Sequence, residues 1–431
     1  MINKIESIVD TVERFVPQVK HDYSHAFYHY LLTKILKRLV YGQIIIIEGE
    51  KKYIFGDDDT LKVTVVIKHS AFYKSVVLNG STGAAESYMR CEWTTDNLVN
   101  LVRLMVRNRK VLMQIDHGFS RIFSITNKWR HKLSDNSLKG SKKNIIAHYD
   151  LSNDFYKLFL DETMTYSSGV FPYVGATLAE ASLEKLDRIC RKLQLSESDH
   201  ILEIGSGWGS FAIHAASNYG CKVTTTTISD QQFIFAQQAI IDANVNDKVT
   251  LLNQDYRNLQ GQYDKIVSIE MIEAVGHQYV PLFLKKCMDL LKPEGTMALQ
   301  AITISDQLYD EYLSSVDFIQ QYVFPGACLL SLSNMFAKLK SDTDFRMIHL
   351  EDITSHYAHT LSLWRKRFLD KWEEAQKLGF SDKFLLLWEY YLAYCEGGFL
   401  ERQINSIQCI LARSNYKSSI IINDRIKSSH D

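Results

Sequence analysis

Residues 201–209 read Ile-Leu-Glu-Ile-Gly-Ser-Gly-Trp-Gly. Ile201 to Ile204 suit a buried parallel strand, and the glycines that follow permit positive φ and a close approach of backbone to a ligand. From Phe211 to Ala216 the apolar spacing becomes helical, so the stretch reads as strand, turn and helix start. Its pattern is E-x-G-x-G-x-G. The dinucleotide fingerprint G-x-G-x-x-G sets its third glycine one place later, where the helix packs on the strand and a pyrophosphate is seated. The departure favours a cofactor without phosphate, S-adenosylmethionine. Taken alone, the turn also suits other α/β proteins.

Outward from this stretch, strand patterns at 201–204, 222–226, 249–253, 265–269 and 296–302 alternate with helical ones, which predicts an α/β, doubly wound (Rossmann-like) parallel sheet. Ligands bind such sheets beyond the carboxyl ends of the strands, where Gly205, Thr227, Asp255, Glu273 and Ile302 are expected to cluster. Residues 1–125 read as a smaller α+β domain facing lipid or a partner. It has a helix over 23–39, a hairpin over 44–56, a strand over 61–68, Asp96 as N-cap of a helix beginning at 98, and a further helix from 119. Residues 126–147 are expected to be a linker, since 131–144 is polar, basic and rich in Ser, Gly and Asn. Its lysines can either touch anionic lipid or remain a solvated tether. Residues 148–431 form the predicted catalytic domain, ending in a loosely held tail.

With 49 basic and 50 acidic residues, bulk charge gives no reason to expect nucleic acid as partner. No apolar run reaches the length of a bilayer span, and the acids within MINKIESIVDTVERF are unlike a signal peptide, so a cytoplasmic location is expected. Seven cysteines without a C-x-x-C pair argue against a disulfide frame or zinc site and for reduced, mostly buried thiols. No metal is expected: His356, Tyr357 and His359 lack a carboxylate or cysteine at ligand spacing.

Several blocks in order carry a stronger signal. HYDLSNDFYKLFLDETMTYSSGVF (148–171), LEIGSGWG, IEMIEAVGHQY (269–279), DFIQQYVFPGACLLSL (317–332), HYAHTLSLWRKRF (356–368) and YCEGGFLERQINSIQCILAR (394–413) resemble the cyclopropane fatty acid synthases, including the mycolic acid cyclopropane synthases, over essentially the whole chain. The resemblance implies a class I methyltransferase fold with a helical lid or insert. It further implies a methylene transfer from S-adenosylmethionine to the cis double bond of unsaturated phospholipid acyl chains, which is the cyclopropane-fatty-acyl-phospholipid synthase reaction. The enzyme would then be peripherally associated with the inner face of the membrane, and a homodimer is expected.

By the same resemblance, Tyr166 and Ser167 should lie against the methionine end of the cofactor. Gly205 and Gly207 should cover it, with Glu203 holding the loop. Thr227, Ile228 and Gln232 match the ribose and adenosine contacts, and Asp255, Tyr256 and Arg257 the adenine segment. Asp255 also reads as a simple turn cap. The family assigns proton removal to a bound bicarbonate ion, here expected among Ser168, Glu273, Gln300, Ile302 and Tyr357, which offer hydroxyl, carboxylate, amide, backbone and phenol groups. Ser168 and Gln300 stand where well-studied members have Cys and His, and Ala274 replaces a His. Glu273 and His277 are four residues apart and could pair on a helix, but a catalytic dyad of Glu270 or Glu273 with His277 is not favoured. Two other readings stay open: a methyltransferase that makes a methyl- or methylene-branched lipid or modifies another small molecule, or a catalytically silent lipid-binding homologue.

Overall fold

In a computed structural model of the chain, residues 23–112 and 152–417 are described, and they divide between two compact units. The expected helix from 119, the linker and the tail beyond 417 lie outside the described residues. The first unit carries a four-stranded sheet of order β2-β1-β3-β4, with β1 Gln43–Glu48, β2 Lys51–Phe55, β3 Lys62–Ile67 and β4 Trp93–Thr95. The isoleucine run of β1 supplies stiff, branched side chains suited to a pleated surface, and Ile44, Ile45 and Ile46 are buried. β1 pairs antiparallel with β2 through a two-residue loop and parallel with β3, as a hairpin followed by a crossing strand requires.

The helix Tyr23–Leu36 stops three residues before the expected end at 39. Asp96 is not the N-cap of the helix Leu98–Arg107. Asn97 caps it by accepting from Asn100 N, while Asp96 Oδ1 accepts from Thr64 N in β3. A cap must stand one residue before the helix, and the next residue along takes that role. Asp382–Tyr390, the first half of a 19-residue helix, also belongs to the first unit rather than to the catalytic domain, with Tyr88 Oη donating to Glu389 at 2.9 Å.

The second unit is built on a seven-stranded sheet of order β10-β11-β9-β8-β5-β6-β7. Its strands are β5 His200–Ile204, β6 Lys222–Thr227, β7 Val249–Asn253, β8 Tyr263–Ile269, β9 Leu291–Ile304, β10 Arg346–Asp352 and β11 Ile404–Ala412. β5 to β9 are parallel neighbours, as the sequence pattern predicts, and β11 inserts antiparallel between β9 and β10. Apolar clusters cover both faces, one around Phe283, Leu284 and Met297, the other around Ile189, Phe211 and Val267. Burial on both faces accounts for the mostly apolar sequences of β5 and β11, whereas β10 alternates at the edge. Five of the seven cysteines are buried and all seven are free.

Candidate active site

The carboxyl ends of β5, β6, β7 and β8 open into one pocket. At the end of β5 the chain turns through Gly205, Gly207 and Gly209, with φ of +98°, +50° and +98°, values that L side chains rarely adopt. Gly205 N–H and Ser206 N–H both donate to Thr226 O, which ties the turn across the end of β6. Gly209 then starts the helix Ser210–Tyr219. This loop lines the pocket floor together with Tyr166, Ser167, Glu203, Thr227, Ile228, Gln232, Asp255, Tyr256 and Arg257, so all eleven expected cofactor residues meet there.

Four local bonds give these residues their shape. Thr227 Oγ1 donates to Gln232 Oε1 at 2.9 Å, and Ser229 caps the helix Asp230–Asp242. Asp255 Oδ1 accepts from Arg257 N, capping the short turn Tyr256–Asn258, and its carboxylate pairs with the Arg257 guanidinium at 2.8 Å. Asp255 is thus a turn cap, as one sequence reading has it, and it also lines the pocket. Glu203 differs from expectation: its carboxyl accepts from Thr225 Oγ1 at 2.5 Å on the neighbouring strand, and the loop is held by Thr226 O instead. Burial pushes the Glu203 carboxyl up to about 8, so it is largely protonated at neutral pH.

None of the five residues expected around a small anion lines that pocket; Ser168, Gln300 and Tyr357 bond instead to Glu270, which does, and Glu273 and Ile302 bond to each other. Glu270 follows β8 directly and sits at φ +48°, a left-handed backbone that is uncommon for a residue with a side chain. Its Oε1 accepts from Ser168 N–H at 3.0 Å and from Gln300 Nε2 at 2.7 Å, and its Oε2 accepts from Tyr357 Oη at 2.7 Å. Ser168 therefore contributes its amide, because its hydroxyl donates to Gly169 O. Glu273 Oε1 accepts from Ile302 N–H at 2.5 Å, while Glu273 Oε2 is buried with no partner among the described residues. A helical Glu273–His277 pair does not form, because the helix here is one short turn, Ile272–Ala274, and Gly276 (φ +80°) redirects the chain.

The orientation of Gln300 is set from a distance. Its register partner on β11 is Gln408, whose Nε2 donates to Gln300 Oε1 at 2.9 Å. Gln408 Oε1 in turn accepts from Lys192 Nζ at 2.7 Å, and that ammonium bonds Glu351 at 2.5 Å. An ammonium can only donate, so each amide in the chain is forced to turn its oxygen back and its NH2 forward, ending on Glu270.

Burial raises the pKa of Glu270, against the pull of its donors. The Glu273 carboxyl is pushed up to about 8 by burial and by the neighbouring Glu270. Two acids so placed favour one proton between them. Glu270, with three donors, is the better stabilised of the two as a carboxylate, and the unpartnered Oε2 of Glu273 is the place for the proton. Lys185, fully buried in the same pocket, donates to Ser167 Oγ at 3.0 Å, and its pKa is pulled down to about 8 by desolvation.

The family model of mycolic acid cyclopropane synthetase matches residues 136–409. The chain belongs to the mycolic acid cyclopropane synthetase family. It is similar to a tuberculostearic acid methyltransferase of Mycobacterium tuberculosis, 35% identical over 350 residues and covering 80% of this chain and 81% of that protein. It is likewise similar to the cyclopropane-fatty-acyl-phospholipid synthase of Escherichia coli K12, 34% identical, with 80% and 87% covered. Among solved structures, a mycolic acid cyclopropane synthase complexed with SAH and CTAB matches with TM-score 0.60 at 29% identity, covering 63% of this chain and 98% of that one. The fold is that of the Rossmann-like class I methyltransferases.

Tyr166, which lines the pocket, packs among buried rings. Its ring lies 5.3 Å from Trp364 and 5.2 Å from Tyr156, and its hydroxyl is 2.8 Å from Tyr391 Oη. Tyr357 stacks on Phe399 at 4.4 Å. Ring faces favour a passing positive charge. The bicarbonate expected in this family does not fit these residues. The donors of Ser168, Gln300 and Tyr357 serve Glu270, and Ile302 N–H serves Glu273, so a second anion would compete for them beside two buried carboxyls.

Proposed function

We propose that the protein transfers a one-carbon unit from S-adenosylmethionine to the cis double bond of unsaturated phospholipid acyl chains, leaving a cyclopropane ring. The observation that carries this reading is one pocket in which the acid-and-glycine strand end of β5 adjoins the buried carboxylate of Glu270 and the ring of Tyr166, in a chain of the cyclopropane synthetase family. S-adenosylmethionine, when bound, supplies a methyl group on a sulfonium, open to attack by the π electrons of an alkene. Gly205 and Gly207 let the backbone lie close to such a ligand, and Thr227, Gln232 and Asp255 offer polar groups for its adenosine end. Tyr166 lines the pocket and offers its ring to the charge that develops on the alkene carbon, while Trp364 and Tyr156 pack against that ring and hold it in place.

The substrate must come from a bilayer, and no helix among the described residues is long and apolar enough to cross one. Reaching an alkene midway along an acyl chain therefore calls for docking at the inner face of the membrane. Phe27 and Tyr30 are exposed on the helix Tyr23–Leu36, with Val40 and Tyr41 exposed just beyond it, and they suit such docking. A homodimer acting from the cytoplasmic side completes the proposal.

A second reading keeps the donor and changes the product to a methyl- or methylene-branched chain, favoured by the 35% identity to a tuberculostearic acid methyltransferase. The test is incubation of the purified protein with unsaturated phospholipid vesicles and labelled S-adenosylmethionine, then mass spectrometry with derivatisation of double bonds. Gain of one CH2 with loss of the alkene supports the ring. Gain of carbon with the alkene retained supports the branch, and lipid without label refutes both.

A further inference from the structure

We infer that Glu270 is the base of this reaction, a carboxylate built into the chain where the family resemblance called for a bicarbonate ion. The inference rests on the proposed transfer to an acyl alkene and names the group that completes it. Every other group expected to hold the anion bears on this choice. Ser168 N–H, Gln300 Nε2 and Tyr357 Oη arrive from three separate segments of the second unit and all three end on the Glu270 carboxylate. A carboxylate offers about four lone-pair sites, so one remains for an incoming proton. Glu270 also lines the cofactor pocket beside Tyr166 and Gly205, whereas Glu273 does not and is turned to Ile302 N–H. Glu203 lines it too, but its carboxyl is held by Thr225 within the sheet and, being largely protonated, is a poor acceptor.

The left-handed φ of Glu270 supports the same assignment, because a strained backbone at a residue with a side chain persists only where the surroundings hold it. The Gln300–Gln408–Lys192–Glu351 chain then has a purpose. It fixes Gln300 as a donor, which keeps Glu270 ionised and aimed. Lys185, buried in the same pocket, adds a nearby positive charge.

The step balances as follows. After the alkene has taken the methyl group, the adjacent chain carbon is cationic. Glu270 takes a proton from the transferred carbon, forming an O–H bond as the C–H bond breaks. The released electron pair closes the third side of the ring onto the cationic carbon. If the proton leaves from a chain carbon instead, the same pair makes a double bond. Glu270 passes its proton to water once product departs, so no co-reactant is consumed.

The test compares the wild-type protein with E270Q and E270G in carbon-dioxide-stripped buffer, with and without added bicarbonate, reading lipid product, SAH affinity and the 13C signal of labelled bicarbonate. Wild-type turnover should be unchanged by removal of bicarbonate, and its 13C signal should show no saturable binding. E270Q should lose about 100-fold or more in turnover while SAH affinity stays within about threefold. E270G relieves the positive φ, which favours folding, and should regain roughly tenfold on adding bicarbonate or formate. Wild-type turnover that collapses without bicarbonate and returns with it overturns the inference, as does an E270Q variant near wild-type rate. Wild-type protein that makes no product in either buffer refutes the proposed activity itself, and the 13C binding result then still decides whether the chain has taken the anion's place.

Discussion

Adding a single methyl group at Gly205 or at Gly207 should give opposite phenotypes, because the two positions differ in space and backbone. A Cβ built on Gly205 lies 3.1 Å from Met271 Cγ and 3.3 Å from Met271 Cβ, at φ +98°. The latter atom is fixed to the backbone and cannot swing aside. Strained φ and overpacking each cost about 1–3 kcal/mol, so Gly205→Ala should destabilise the catalytic unit by roughly 3 kcal/mol. That corresponds to a fall of about 6–12 °C in its melting temperature. A Cβ on Gly207 meets nothing within 4 Å, and φ +50° lies in the left-handed region at a cost of about 1 kcal/mol. Gly207→Ala should therefore melt within about 4 °C of wild type, yet bind SAH at least about tenfold more weakly by crowding the cradle. Trp208 lies between the glycines that follow β5 and lines the pocket, so its fluorescence quenching by SAH reads affinity directly while calorimetry reads stability. A Gly205→Ala protein that melts like wild type, or a Gly207→Ala protein that binds SAH undiminished, would refute the reading of the loop.

Tyr357→Phe removes a hydrogen bond to a charged group worth about 1.5–3 kcal/mol, so turnover should fall roughly 10- to 150-fold with SAH affinity preserved; equal losses in both would show that Tyr357 acts on the cofactor. Gln408→Leu frees Gln300 to turn its oxygen toward Glu270, which should lower turnover more than SAH affinity, and a full rate in that variant would dissociate the relay from catalysis. Glu273 gives a pH test in denaturant titrations. Its carboxyl is raised from 4.5 to about 8, so the folded state holds a proton that the unfolded state has lost. That stability is fully present below about pH 4.5 and drains away as pH rises through 8, by at most about 1.4 kcal/mol per unit. Relative to wild type, Glu273→Gln should gain stability as pH rises across this window, and parallel curves for the two proteins would contradict the shift.

How much of this was legible in the residues depends on how local each feature is. The parallel strands β5 to β9 announce themselves because each is a run rich in apolar or β-branched residues set between helical patterns, with ends within five residues of those expected. β10 and β11 did not. β10 alternates as an edge strand, and β11 is an antiparallel insertion outside the strand-helix rhythm, even though its residues 404–412 lie in a block that signals the family. Gly205, Thr227 and Asp255 could be brought to one pocket because they follow strand ends, whereas Tyr166, Ser167 and Gln232 lie elsewhere and were legible only through the family resemblance. Glu270 stands in IEMIEAV beside Glu273, and two acids three apart in sequence look equivalent. What separates them is tertiary. Glu270 receives bonds from residues 102, 30 and 87 positions away, and its positive φ leaves no mark on a residue type that seldom adopts it. The relay through Gln408 depends on a strand register, which no local pattern encodes.

Donor labelled with three deuteriums on its methyl group, incubated with this protein and unsaturated phospholipid vesicles, tests the whole account at once. If the transferred carbon loses its proton to a base in the pocket as the ring closes, the product lipid carries two deuteriums on a cyclopropane carbon. Lipid that carries all three, or none, contradicts ring closure at this site.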